Sequence, residues 1–285
     1  MTPREETIPA TDGVPLAARR FPAHGPAWGQ VLVASAMGVR QDFYAPFAQW
    51  LASQGLHVTT FDYRGVGASL RGPRSKASTD VTTWALRDLE SMLEHAAQPA
   101  PHLPLFHVGH SLGGQLLAIV PGQSRVKAAV HVVAGSGWHG HGIHMRWRLR
   151  FFWHVAVPTL THAFGYFPGR ALRMVGDMPG GVALQWRRWC LHRDYLLSES
   201  AAWRESYARS TVPVLSYSFA DDELLTREAI DDLDSRLLAA AVERRHVNPR
   251  DIGVSRVGHF GYFAQKCRET LWEETLEWLR RQAPT

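Results

Sequence analysis

Cysteine is scarce in this chain. Its 285 residues hold two, Cys190 and Cys267, far apart and without the spacing of a disulfide framework, a metal knuckle or a redox pair. That usage fits a reducing compartment, and a cytoplasmic location is expected. No long hydrophobic run is present either. The most apolar stretch, Phe151 to Phe167, is broken by His154, Pro158 and His162 and is too short to span a bilayer comfortably, so no stable membrane insertion is expected. The opening MTPREETIPATDG lacks a basic segment followed by an apolar one, and no secretory signal is read there. Charge of one sign does not dominate: 31 basic residues against 26 acidic give +5. With no nucleic-acid-binding motif beside it, this imbalance does not point to a nucleic-acid partner. Repeats and low-complexity segments are missing as well.

What is present is an ordinary globular composition, 45% hydrophobic and 20% charged, enough for one large α/β core plus an insertion. A hairpin is expected over Glu5 to Arg20 with its turn at Asp12-Gly13. A compact apolar strand follows at Gln30 to Ala34, and further strands are expected at Leu56 to Phe61, Val126 to Val133, Pro213 to Phe219 and Val242 to Val247. Helical patterns separate them: Phe43, Phe47, Trp50 and Leu51 mark one, Val81 to Ala97 another, a third runs from Thr226 to about Ala240, and Thr270 to Arg281 is the last. Alternation of this kind predicts a mostly parallel sheet covered by helices on both faces. It breaks at Gly135, after which Trp, Phe, Arg and His crowd a stretch with Pro and Gly punctuation and no convincing strand. Residues 137–207 are read as an inserted helical cap on a core formed by 1–136 and 208–285.

The sharpest signal is LFHVGHSLGGQLLAIV, Leu105 to Val120. A buried strand ends near Val108, and Leu112, Leu116, Leu117 and Val120 have helical spacing. Between them Gly109-His110-Ser111-Leu112-Gly113 puts a serine on a tight strand-to-helix turn, where side chains two residues before and after would collide with neighbouring backbone. A hydroxyl held there, at the edge of a sheet and the start of a helix, is a candidate nucleophile. A serine hydroxyl attacks only with a base to take its proton and a third group to orient the base, and on such an elbow the chain order is Ser, acid, His. Acids at Asp221 and Asp222 follow one late strand, and His259, set between Gly258 and Gly261, follows the last. His110 reads as a support for the elbow, and His57 and His107 as packing residues on strands. The glycine-rich Asp62 to Ser69 lacks the lysine and spacing of a phosphate loop or a dinucleotide fingerprint. His139, His141 and His144 lie on a Gly-rich stretch without acidic neighbours, and no metal is expected there.

These residues resemble the α/β-hydrolase superfamily over nearly the whole chain: the N-terminal hairpin, the GHSLGG elbow, the FDYRGVGAS loop, the insertion, and the late acid and histidine. Within it, GYFPGR, MPGGVALQWRRW and the late GHFGYF look like a bacterial group of predicted serine hydrolases. The resemblance implies a Ser111-Asp222-His259 triad with no cofactor and no metal. In hydrolases of this kind the acid is commonly followed by a variable residue, two apolar residues and a small polar one or Pro; Asp222-Glu223-Leu224-Leu225-Thr226 fits that frame, with Asp221 one position out of phase. The oxyanion donors would be the N–H of Leu112 and one from the loop after Gln30 to Ala34. Relatives often read His-Gly there, whereas this chain has Ser35-Ala36-Met37, which makes Met37 the choice and leaves Ala36 open. Trp138, Trp147, Phe152 and Trp186 are expected to line a substrate pocket beneath the cap. The expected reaction is hydrolysis of a small-molecule ester or related acyl bond; a thioesterase or amidase, or a silent binder of hydrophobic ligands, is the alternative. Oligomeric state is left open.

Overall fold

The computed structural model describes residues 2–141, 151–172 and 176–283. Ten strands form in chain order: β1 (Arg4–Pro9), β2 (Pro15–Phe21), β3 (Gly29–Ala34), β4 (Leu56–Phe61), β5 (Leu105–His110), β6 (Val126–Val132), β7 (Tyr166–Phe167), β8 (Met178–Pro179), β9 (Val214–Phe219) and β10 (Val242–Val247). Eight of them make one sheet in the order β1-β2-β4-β3-β5-β6-β9-β10. β1 and β2 join antiparallel, as does β2 with β4, and all the remaining pairs are parallel.

Alternating residues of the central strands feed two separate cores. Val31 and Val33 of β3 join Val58, Phe106, Val108 and Tyr217 on one face, packed against Phe47 and Leu51 of the first helix, Leu276 of the last, and Trp272 just before it. Leu32 and Ala34 face the other way, toward Phe61, Trp84, Leu89, Met92 and Leu116. With both faces covered, β3, β5 and β9 are buried along their whole length, as continuous apolar runs require. β10, by contrast, reads VERRHV and leaves most of its residues exposed, as an edge strand should.

Helical boundaries differ from the sequence reading in three places. The stretch from Val81 to Ala97 is helical throughout but passes through a π turn at Trp84–Leu89. The helix after Thr226 covers Arg227–Asp234 and stops short of Ala240, and the last helix is Glu273–Gln282 preceded by a π turn at Arg268–Trp272. Between β6 and β9 the described residues form helices at Val157–Phe164, Gly180–Cys190 and Ala201–Arg209, with β7 and β8 paired antiparallel among them. Strands of two residues carry no readable period, which is why the sequence showed none there. Among the described residues no helix is long and apolar enough to cross a membrane.

Candidate active site

Parallel strands deliver their following loops to one edge of the sheet. Ser111 follows β5 there, the loop 35–39 follows β3, and Asp222 follows β9. Ser111 has φ 49° and ψ −116°, a conformation that costs a non-glycine residue on the order of 1–3 kcal/mol. Its own backbone holds it there. The N–H donates to the Val132 carbonyl at 2.8 Å, and its C=O accepts from Gly114 at 3.0 Å and Gln115 at 3.2 Å. A Cβ on Gly109 would run into the backbone of Gly113 and Gly114, and one on Gly113 into the carbonyl of Ala34. Small residues at these two positions are therefore a packing requirement of the turn.

The histidine comes to the same edge on the loop after β10 and its 3-10 turn at Pro249–Ile252. His259 Nδ1 donates to Asp222, 2.9 Å from Oδ2 and 3.1 Å from Oδ1. Both side chains are almost wholly buried. Asp222 Oδ1 also accepts the N–H groups of Leu224 and Leu225 at 2.7 and 2.9 Å, which fixes the plane of the carboxylate. In a neutral imidazole a proton on Nδ1 leaves Nε2 as the acceptor. Asp221 points elsewhere and accepts the N–H groups of Val257 and Gly258.

Two backbone N–H groups near the serine, those of Leu112 and Met37, make no hydrogen bond among the described residues. Ala36, the neighbour left open by the sequence, is committed: its N–H donates to the Tyr44 hydroxyl at 2.9 Å. That hydroxyl in turn donates to His110 Nδ1 at 2.8 Å, and His110 Nε2–H donates to the His259 carbonyl at 2.9 Å. Tyr44 and His110 are completely buried, and burial pushes the tyrosine pKa up and the histidine pKa well down, so both stay neutral. The chain of bonds joins the loop after β3, the elbow and the histidine loop. Nothing in the local sequence pointed to Tyr44; the Tyr44–His110 contact spans 66 positions.

The loop after β4 is a buried polar brace. Asp62 accepts from the N–H groups of Gln41 and Ala68, and Arg64 bridges Asp88 and Asp12. It anchors Gln41, next to the loop after β3.

The aromatic residues separate into two groups. Phe152 and Trp186 pack edge to face on Trp153, with ring centroids 4.7 and 4.8 Å away. Trp138 lies against His139 and His141 with the Arg193 guanidinium 5.9 Å from its ring. Trp147 and His144 fall outside the described residues. His141 Nε2 is 3.2 Å from Asp232, and among the described residues no group of three His, Cys, Asp or Glu side chains could hold a metal ion.

Comparison with known proteins bears on the fold and on the first half of the chain. Residues 25–162 match the family model described as serine aminopeptidase, S33. That span includes Ser111 and Met37 and ends before Asp222 and His259. A predicted carbamate hydrolase from Variovorax paradoxus is 34% identical over 126 residues, 42% of this chain and 44% of that one. A predicted monoglyceride lipase from Schizosaccharomyces pombe is 33% identical over 88 residues, 30% of this chain and 23% of that one. The chain thus spans less than half the length of these curated relatives. A soluble variant of the monoglyceride lipase of Saccharomyces cerevisiae, solved with a substrate analogue, superposes with a TM-score of 0.71 at 19% identity, covering 100% of this chain and 96% of that one. With the eight-stranded sheet and the serine elbow after β5, the chain has the α/β-hydrolase fold, and its residues 25–162 are similar to the serine aminopeptidase family.

Proposed function

We propose that the protein is a serine hydrolase acting on an uncharged carboxylic ester through a Ser111-His259-Asp222 triad. The observation that carries this reading is the buried Asp222 carboxylate bonded to His259 Nδ1, on the same sheet edge as Ser111. Ser111 Oγ attacks the substrate carbonyl while His259 Nε2 takes its proton, and Asp222 stabilises the imidazolium that forms. The N–H groups of Leu112 and Met37 receive the negative charge on the carbonyl oxygen; each such donor is worth about 3 kcal/mol in the transition state. His259 returns the proton to the leaving alcohol, and water activated by the same ring then cleaves the acyl-enzyme. No cofactor enters these steps.

Residues 137–207 serve in this reading as a cap over the serine. The aromatic character of Trp138, Phe152 and Trp186, and of Trp147 by sequence, supports a substrate with a sizeable apolar group. The relatives' names, a carbamate hydrolase and a monoglyceride lipase, favour acyl chemistry on an oxygen- or nitrogen-linked carbonyl. The test is a p-nitrophenyl ester series of increasing acyl length with Ser111→Ala as control. Hydrolysis that depends on Ser111 and varies with chain length supports the reading; equal rates for wild type and Ser111→Ala overturn it.

A further inference from the structure

Two of the three consecutive acids after β9, Asp221 and Glu223, hold the histidine loop at three consecutive amides. We infer that Asp221 is a positioning residue for His259, an inference that rests on the role of His259 proposed above. Asp221 Oδ2 accepts the Val257 N–H and Oδ1 the Gly258 N–H, each at 2.9 Å, and Glu223 Oε2 accepts the His259 N–H at 3.2 Å. Successive N–H groups converge on an anion where the chain turns through a left-handed residue, and Gly258 has φ 59°. A Cβ at that position would lie 2.7 Å from Glu223 Oε2, so the turn is built around these carboxylates.

Asp221 and Asp222 divide the work. Asp222 sets the rotation and tautomer of the imidazole but takes no bond from the backbone that carries it. Asp221 ties that backbone to the end of β9, and so sets where along the sheet edge the ring begins. Bonds to an ionised acceptor are about twice as strong as neutral ones, and two made by one carboxylate fix direction as well as distance. The Glu223 carboxylate is more exposed and shared with Arg256, an exposed pair that contributes little to holding the loop.

The experiment compares Asp221→Ala and Asp221→Asn with wild type. It reads the rate of Ser111 labelling by a fluorophosphonate, kcat and KM on a p-nitrophenyl ester, and the thermal midpoint. Asp221→Ala is expected to slow labelling and lower kcat together by roughly ten- to a hundred-fold, the scale of an ångström-level misplacement, with KM nearly unchanged. Asp221→Asn keeps one carbonyl acceptor and is expected to recover part of the loss. Labelling of the alanine variant at the wild-type rate, a loss fully accounted for by unfolding at the assay temperature, or an asparagine variant as slow as alanine would each overturn the inference. A wild-type chain that is not labelled would instead sink the reading of Ser111 and His259 itself, and this inference with it.

Discussion

His259 Nδ1 lies 2.9 Å from Asp222 Oδ2, and the adjacent Asp221 bonds to backbone N–H groups of the same loop. One position along the chain separates a carboxylate that can stabilise an imidazolium from one that cannot. Replacing Asp222 by Asn keeps the shape but presents the wrong partner to Nδ1, and kcat for ester hydrolysis should fall by about 10⁴-fold. A loss of less than ten-fold in steady-state kinetics would exclude Asp222 as the orienting acid.

Tyr44→Phe removes one hydroxyl and strands two buried groups, the Ala36 N–H and His110 Nδ1. Each unsatisfied group costs about 1–3 kcal/mol. Urea denaturation should show a loss of about 2–6 kcal/mol for the two together, with the slope against denaturant unchanged. A variant as stable as wild type would mean that water replaces the hydroxyl without cost.

Gly113→Ala drives a methyl group into the carbonyl of Ala34, backbone that is fixed in the middle of the sheet. The turn has no flexible side chain to move aside. Destabilisation of about 3 kcal/mol or more is expected from such overpacking, read as a lower thermal midpoint or as insoluble protein. A soluble variant with an unchanged midpoint would show that the elbow can open.

Acid should unfold the protein through His107 and His131. Both rings are buried, His107 Nδ1 and Nε2 and His131 Nε2 have no hydrogen-bond partner, and burial lowers the pKa values to about 3 and about 4. In the unfolded chain each takes a proton near pH 6.5. Below that pH the unfolded state therefore binds more protons, and stability falls as the pH drops from about 6.5 toward about 4. The two together cost about 2.7 kcal/mol per pH unit in that window. Thermal midpoints from pH 7 to pH 5 should drop steeply for wild type and less steeply for His107→Leu; parallel curves would assign the acid sensitivity elsewhere.

Much of the site could be read before the fold was seen, because its requirements are local. GHSLGG states its own sterics, and Leu56 to Phe61, rich in apolar and β-branched residues, coincides with β4. What could not be read is what depends on a single residue of register or on distance along the chain. Asp221 and Asp222 are both polar residues after a strand, and the bond from Asp222 N–H to the Phe219 carbonyl, which turns the chain there, leaves no mark in composition. The proposed second oxyanion donor was open between Ala36 and Met37 for a similar reason: the Ala36 N–H is taken up by the hydroxyl of Tyr44, eight positions on. The helix from Arg227 ends at Asp234 although Leu237, Leu238 and Ala240 continue an apolar pattern, because the chain turns there to enter β10.

The bonds running from Ala36 through Tyr44 and His110 to His259 also bear on how this protein could be re-engineered. Loops of a hydrolase are often treated as exchangeable modules, grafted one at a time to alter specificity. Here a graft that replaced residues 35–44 without a tyrosine at 44 would also remove support from the turn bearing His259, although no exchanged residue lies near that turn in sequence. The smallest transferable unit comprises the loop after β3, the elbow and the histidine loop together.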